Sequence, residues 1–458
     1  MREEKDSLGT FNLPDEVYYG VQTARAVENF PISGLKADLD FVKASVLIKK
    51  AAAKVNTELK QLDEKISKAI VKASDEILKG DLYENFVVDV YQAGAGTSHI
   101  MNTNEVIANR AIEILGGKRG DYQLVNPNDH VNCAQSTNDF FPTAMRIAAL
   151  IKSSDLLEAI KKCTETFEKK GKEFFHIIKA GRTHLQDAVP VRLGREFQVY
   201  SRIFNQHKTR IENALSELKV LGIGGTAAGT GLNAHPLYQS KIVDELSKLT
   251  NIEFQASPDL MVAMQSMAPF VSLSNAIKNF ALDVTKIAND LRLMDSGPTT
   301  GLSEIKLPAV QPGSSIMPGK VNPSIIEMLN QVCFQIVGLS TSIDYASQAG
   351  QFELNVMMPM INFNLLFSIK ILTNALRSFD ERCLKGITAN EERCKNYAEG
   401  SVSNATVLNS KLGYLATAEI VKEAIKTGKT IKEICLSKGV IDKQELEKVL
   451  DLEKQVGK

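Results

Sequence analysis

Three stretches of this chain, at about residues 142 to 178, 190 to 220 and 258 to 294, keep the apolar spacing of a helix for about thirty residues or more. At about 1.5 Å per residue, a helix of some 36 residues spans roughly 54 Å, more than a compact small domain needs. In the third stretch Leu273, Ile277, Phe280, Val284, Ile287, Leu291 and Met294 follow one another at alternating steps of four and three. That is the seam of a helix lying lengthwise on its neighbours, so the stripe reads as core and not as a cofactor box. Pro269 lies inside the same pattern, where its missing N–H and its ring predict a kink. Two more helical patterns run near 323 to 349 and 360 to 386. The spacing predicts a mostly all-α fold around a central long-helix bundle.

Three segments follow: a mostly helical 1–140 with helices at about 39 to 60 and 64 to 79, the long-helix bundle 141–389, and a small helical 390–458 that includes Ile441 to Leu450. The first 35 residues read as irregular. With 54 basic and 54 acidic residues there is no basic field to hold nucleic acid or an anionic membrane. Six cysteines without a Cys-x-x-Cys fit a reducing cytoplasm. The charged N-terminus carries no secretory signal, and no apolar run reaches membrane-spanning length.

Chemistry concentrates in Gln311-Pro-Gly-Ser-Ser-Ile-Met-Pro-Gly-Lys-Val-Asn-Pro323, two hydroxyls and a lysine among glycines and prolines that set where the loop can bend. Asn322 is placed to cap the helix that follows, with Pro323 in its first position. Lys320 and Asn322 then stand at a positive helix end that favours a carboxylate. Ser136-Thr-Asn-Asp139 gathers hydroxyls and an amide at another helix start, where short polar side chains also serve simply as caps. Gly222-Ile-Gly-Gly-Thr-Ala227 fits a loose dinucleotide fingerprint, but it follows the helical run Leu215 to Leu221 and reads as a helix-to-helix turn. No His-Glu-x-x-His or paired Cys/His spacing suggests a built-in transition metal.

Gly313 to Pro323 resembles the signature of the aspartase/fumarase superfamily of homotetrameric lyases, and further blocks support the resemblance. These are Gly94-Ala-Gly-Thr-Ser98 with Met101-Asn-Thr-Asn-Glu105, Asn126 to Asp139, and Gly181-Arg-Thr-His-Leu-Gln-Asp-Ala188. Tyr18-Tyr-Gly-Val-Gln-Thr, Asn330-Gln-Val-Cys-Phe334 and Gly350-Gln-Phe-Glu lean toward the ammonia-lyase branch. Fumarases usually carry a tryptophan near the first of these, and this chain has none. Thr299, Met358 and Ser410 depart from the common pattern.

The resemblance implies reversible elimination of ammonia from L-aspartate to give fumarate, on a small dicarboxylate substrate at sites shared between subunits of a homotetramer. A base must take a proton beside one carboxylate, and the dianionic aci-carboxylate that results must be held by several preorganised donors. An ammonium group already carries its proton and needs no general acid to leave. By resemblance Ser314 is the base; Thr97, Ser136, Thr137 and Ser315 surround the reacting carboxylate. Thr183, Lys320 and Asn322 hold the other carboxylate, while Asn138 and His184 face the amine. No cofactor is implied, and activation by Mg²⁺ is left open. Fumarate hydratase and a non-catalytic member that keeps the fold are the alternatives.

Overall fold

The computed structural model describes residues 1–456. It is helical nearly throughout, with four two-stranded sheets among the described residues. The chain packs as two compact units, each drawn from three separate stretches.

The first unit takes in Met1–Leu157, Thr209–Ala281 and Phe334–Thr373. Its start is not irregular, as expected, but an antiparallel hairpin of β1 (Arg2–Asp6) and β2 (Gly9–Leu13), followed by helix α1 (Val21–Asn29). The strand was hidden because Arg-Glu-Glu-Lys-Asp shows no apolar alternation. The N-terminus of α1 has no cap of its own; buried carboxylates replace it. Glu105 accepts from the N–H groups of Gly20 (2.8 Å), Gln22 (2.9 Å) and Thr23 (3.1 Å), and Glu4 from that of Val21 (2.9 Å). These satisfy the donors that a helix start leaves over, at its positive end. A Cβ on Gly20 would stand 2.4 Å from the Tyr122 hydroxyl, so only glycine fits.

Helices α2 (Leu39–Glu58), α3 (Glu64–Lys79) and α4 (Thr97–Ile114) come next. Asp38 and Asp63 cap α2 and α3, and Gly80 ends α3 in the left-handed region. Val46, Ile70, Ile77, Val106, Ile107 and Ile112 form one fully buried cluster between them.

The long helices are α5 (Thr137–Glu173), α6 (Leu193–Glu217), α9 (Ala268–Met294), α10 (Ser324–Gln348) and α11 (Met358–Arg382). Each supplies residues to both units. Every residue of the expected seam from Leu273 to Met294 is buried. Three expectations need correction. The patterns at 142 to 178 and 190 to 220 run too far toward each other, because β3 (Ile178–Thr183) and β4 (Gln186–Arg192) form a hairpin between α5 and α6. Pro190 therefore sits in a strand, and α5 starts five residues before Pro142.

Pro269 does not kink a continuous helix. A short helix, α8 (Leu260–Gln265), ends before it, and the proline falls in the first turn of α9, where no N–H is needed. Finally, β5 (Val220–Leu221) pairs in parallel with β6 (Gln255–Ala256), so Gly222 follows a two-residue strand and not a helix. The next helix, α7 (Tyr238–Thr250), opens too far on for a dinucleotide fingerprint.

The second unit comprises Glu158–Lys208, Leu282–Cys333 and the chain from Asn374 onward. Phe167 anchors its aromatic cluster, with ring centres of Phe204 at 5.2 Å and Phe379 at 6.0 Å. Strand β7 (Ile305–Lys306) pairs with β8 (Thr388–Ala389). Short helices after Glu391 bury Leu408, Ile420, Ile434 and Leu446; one of them, Lys443–Val449, is the helix expected at 441 to 450. No helix among the described residues is long and apolar enough to cross a membrane.

Candidate functional site

The ten candidate residues fall in three places, one in the first unit and two in the second. In the first unit they crown two helix N-termini. Ser136 caps α5: its Oγ accepts from the N–H of Asn138 at 3.3 Å, while Asp139 accepts from the N–H of Ser136 at 2.9 Å. This reciprocal arrangement explains the local sequence without any ligand, yet Ser136 and Thr137 both remain partly exposed. Asn138 donates its side-chain N–H to the Ala227 carbonyl at 2.7 Å, a bond that uses the nitrogen and not the amide oxygen, which is an acceptor.

Thr97 is the exposed first residue of α4, entered through Gly96 at φ +85°. A Cβ on Gly96 would lie 2.0 Å from the Phe141 ring, so α4 and α5 meet at their starts. Gly96→Ala is expected to cost about 2–3 kcal/mol through the left-handed backbone and the clash with that ring. A denaturant midpoint that does not move would contradict this.

Below Ser136 to Asn138 lies a feature that sequence reasoning missed. Asp139 is fully buried and accepts from three backbone N–H groups, those of Ser136, Gly224 (2.9 Å) and Thr226 (3.0 Å). Burial pushes its carboxyl up to about 6, against the pull of those donors and of Lys49. Lys49 is itself buried, donating to Asn132 and Gln135 at 2.8 and 2.9 Å, and burial holds its amine well below the usual range. A lysine inside an Ala- and Lys-rich helix reads as a surface residue, so nothing flagged it. The signal for Asp139 was present: it stands three residues after a helix-capping serine.

In the second unit the signature loop is exposed but tied at its neck. The N–H of Gly313 donates to the Lys320 carbonyl at 2.8 Å, and the Asn322 side chain donates to the Gly313 carbonyl at 2.7 Å. Asn322 is therefore a brace and not the helix cap that was expected, and the helix opens at Ser324, one residue after Pro323. Within the loop, Ser314 Oγ accepts from the backbone N–H groups of Ile316 (3.2 Å) and Met317 (2.9 Å). Donors placed on a hydroxyl oxygen favour the negative charge it would carry as an alkoxide. Ser315 and Lys320 are exposed beside it.

Thr183 and His184 stand at the tip of the β3–β4 hairpin, both exposed. The two turn residues, His184 and Leu185, take φ +55° and +58°. Non-glycine residues adopt that region at a cost, and a two-residue turn built from two of them persists only where its surroundings hold it. Of the departures, Met358 is buried at the start of α11, Thr299 is exposed, and Ser410 donates to the Val407 carbonyl at 3.2 Å. None of them is one of the ten candidate residues.

Residues 9–338 match the family model described as Lyase, and residues 405–456 that described as Fumarase C C-terminus. The chain is 49% identical to an aspartate ammonia-lyase of Bacillus subtilis over 98% of its own length and 95% of the relative's. It is 45% identical to one of Helicobacter pylori over 98% and 96%. Among solved structures, a fumarate lyase:delta crystallin from Brucella melitensis bound to cobalt superposes with a TM-score of 0.96 at 47% identity, covering 99% of each chain. A class II fumarase from Schistosoma mansoni gives 0.97 at 35% identity, covering 100% of this chain and 99% of the other. The chain belongs to the aspartase/fumarase superfamily of lyases.

Proposed function

We infer that the chain is a carbon–nitrogen lyase that interconverts L-aspartate with fumarate and ammonia. The observation that carries this is the near full-length identity of 44–49% to aspartate ammonia-lyases, against 35% to the fumarase. Fumarate's ultraviolet absorbance, followed with L-aspartate and L-malate in parallel on one preparation, tests it. Aspartate alone should react; turnover of malate alone would make the chain a fumarate hydratase, and turnover of neither would leave a non-catalytic member.

Ser314 is the general base in this reading, supported by the two N–H groups on its oxygen. It takes the proton beside one carboxylate, and Thr97, Ser136, Thr137 and Ser315 hold the charge that develops there. Thr183, Lys320 and Asn322 bind the other carboxylate. Asn138, whose amide oxygen is not used by the bond to Ala227, accepts from the substrate ammonium together with His184. Ammonia then leaves without a general acid.

Complete sites form between copies of the chain in a homotetramer. Support comes from large apolar side chains exposed along the long helices, such as Leu282, Phe334 (60%) and Tyr345 (66%). The division into 1–140, 141–389 and 390–458 belongs to the same proposal, as does a cytoplasmic location, which six unpaired thiols suit.

A further inference from the structure

The strained turn that carries Thr183 and His184 raises the question of what holds it. The base of the hairpin is tied on both strands. On β3, the carboxylate of Glu304, fully buried, receives Arg182 Nη1 on Oε1 at 2.9 Å, and Lys179 Nζ lies 3.2 Å from Oε2. Lys179 is also buried and donates to Glu196 at 3.1 Å, so two cations and two carboxylates balance. The Arg182 guanidinium further lies over the Tyr397 ring, 5.5 Å from its centre.

On β4, Ser401 donates to the Asp187 carboxylate at 3.3 Å and Ser403 to the Asp187 carbonyl at 2.8 Å. Glu304 is fixed in turn: its N–H bonds to the Met294 carbonyl at 2.8 Å, and its carbonyl accepts from the N–H of Asn390 at 2.9 Å. The turn thus begins one residue past an ion pair whose acidic partner is buried and has both backbone groups hydrogen-bonded.

We propose that Glu304 is a positioning residue for the lyase reaction: through Arg182 and Lys179 it holds Thr183 and His184 at the left-handed hairpin tip where they meet substrate. The inference rests on the reading of Thr183 and His184 as substrate contacts. Loss of the Glu304 acid leaves Arg182 without a carboxylate and Lys179 with Glu196 alone, and the cheapest relief is for β3 to shift. Displacements near 1 Å at a positioning group cost up to about a hundredfold in rate; with Glu196 still on Lys179, a loss of about tenfold is expected here. Glu196 touches Lys179 but not Arg182, which makes it the internal control.

The test is a double-mutant cycle on the assembled enzyme, with circular dichroism and native mass confirming fold and assembly. Glu304→Gln should lower kcat/KM for L-aspartate about tenfold, mostly through KM, and Glu196→Gln should change it less than about twofold. In a background lacking both contacts, Thr183→Ala together with His184→Ala, itself impaired, Glu304→Gln should cost less than about twofold, because the tip it positions has lost what it presents to substrate. A purely structural role would give the same loss in both backgrounds, and that additivity overturns the proposal, as does a kcat/KM for Glu304→Gln within twofold of wild type. Should Glu304→Gln not assemble, Ser403→Ala, which releases the β4 side, goes through the same cycle with the same expectation. If His184→Ala and Thr183→Ala both leave kcat/KM unchanged, the reading of the tip as a substrate contact fails first, and the positioning role falls with it.

Discussion

Ser314→Ala should lower kcat for aspartate by about 10²–10⁴-fold, the range that a positioned general base supplies, while the protein stays folded and assembled. The loop can bear the loss of the hydroxyl. Among the described residues its oxygen serves the N–H groups of Ile316 and Met317, and Ile316 is 83% exposed, so water can take its place. The neck bonds of Gly313 to Lys320 and Asn322 do not involve the serine side chain. The defect should therefore sit in kcat, with KM changed little, as expected for an interaction made only in the transition state. Steady-state fumarate formation measures it, and a variant that keeps more than about a tenth of wild-type kcat would remove Ser314 from the role of base.

Asp139→Ala has the largest expected effect on stability, about 3–5 kcal/mol. It strands two buried backbone N–H groups, those of Gly224 and Thr226, each worth about 1–3 kcal/mol when unsatisfied, frees the part-buried N–H of Ser136, and takes away the negative charge that offsets buried Lys49. Thr226, held at φ +54°, loses the bond that keeps it there. Asn is a poor replacement, because one of its two terminal atoms would present N–H to N–H. The urea midpoint is the measurement; a loss under about 1 kcal/mol would mean that water or a shifted backbone satisfies the three donors.

The architecture was legible wherever a long apolar stripe decided it, as in α10 and α11, whose ends lie within a few residues of the expected ones, and in the C-terminal end of α9; the expected start of α9 lay ten residues too early, in the separate helix α8. It was illegible where short strands have polar or mixed sequence, as in β1 and the β3–β4 hairpin, since two facing strands of five to seven residues leave no period long enough to outweigh the adjoining helices. Pro269 was noticed for the right reason and placed wrongly, because a proline at a helix start and one inside a helix look alike in sequence.

At the site, the side chains offered to solvent were readable from motifs: Thr97, Ser136 to Asn138, Thr183, His184, and Ser314 to Asn322. The charges underneath were not. Lys49, Asp139 and Glu304 reach partners 83 or more residues away in most of their contacts, and such pairs leave no local spacing to detect.

On the proposed reading, residues held in separate places on one chain act together across copies of it. Mixing Ser314→Ala with His184→Ala, each strongly impaired alone, under conditions that dissociate and re-form the assembly, addresses this most directly. If loop and hairpin tip meet from different subunits, random mixing should restore fumarate formation from aspartate to about a quarter of the wild-type level. Activity that stays at the sum of the two impaired parents, in mixtures shown by native mass to contain hybrids, would contradict the claim.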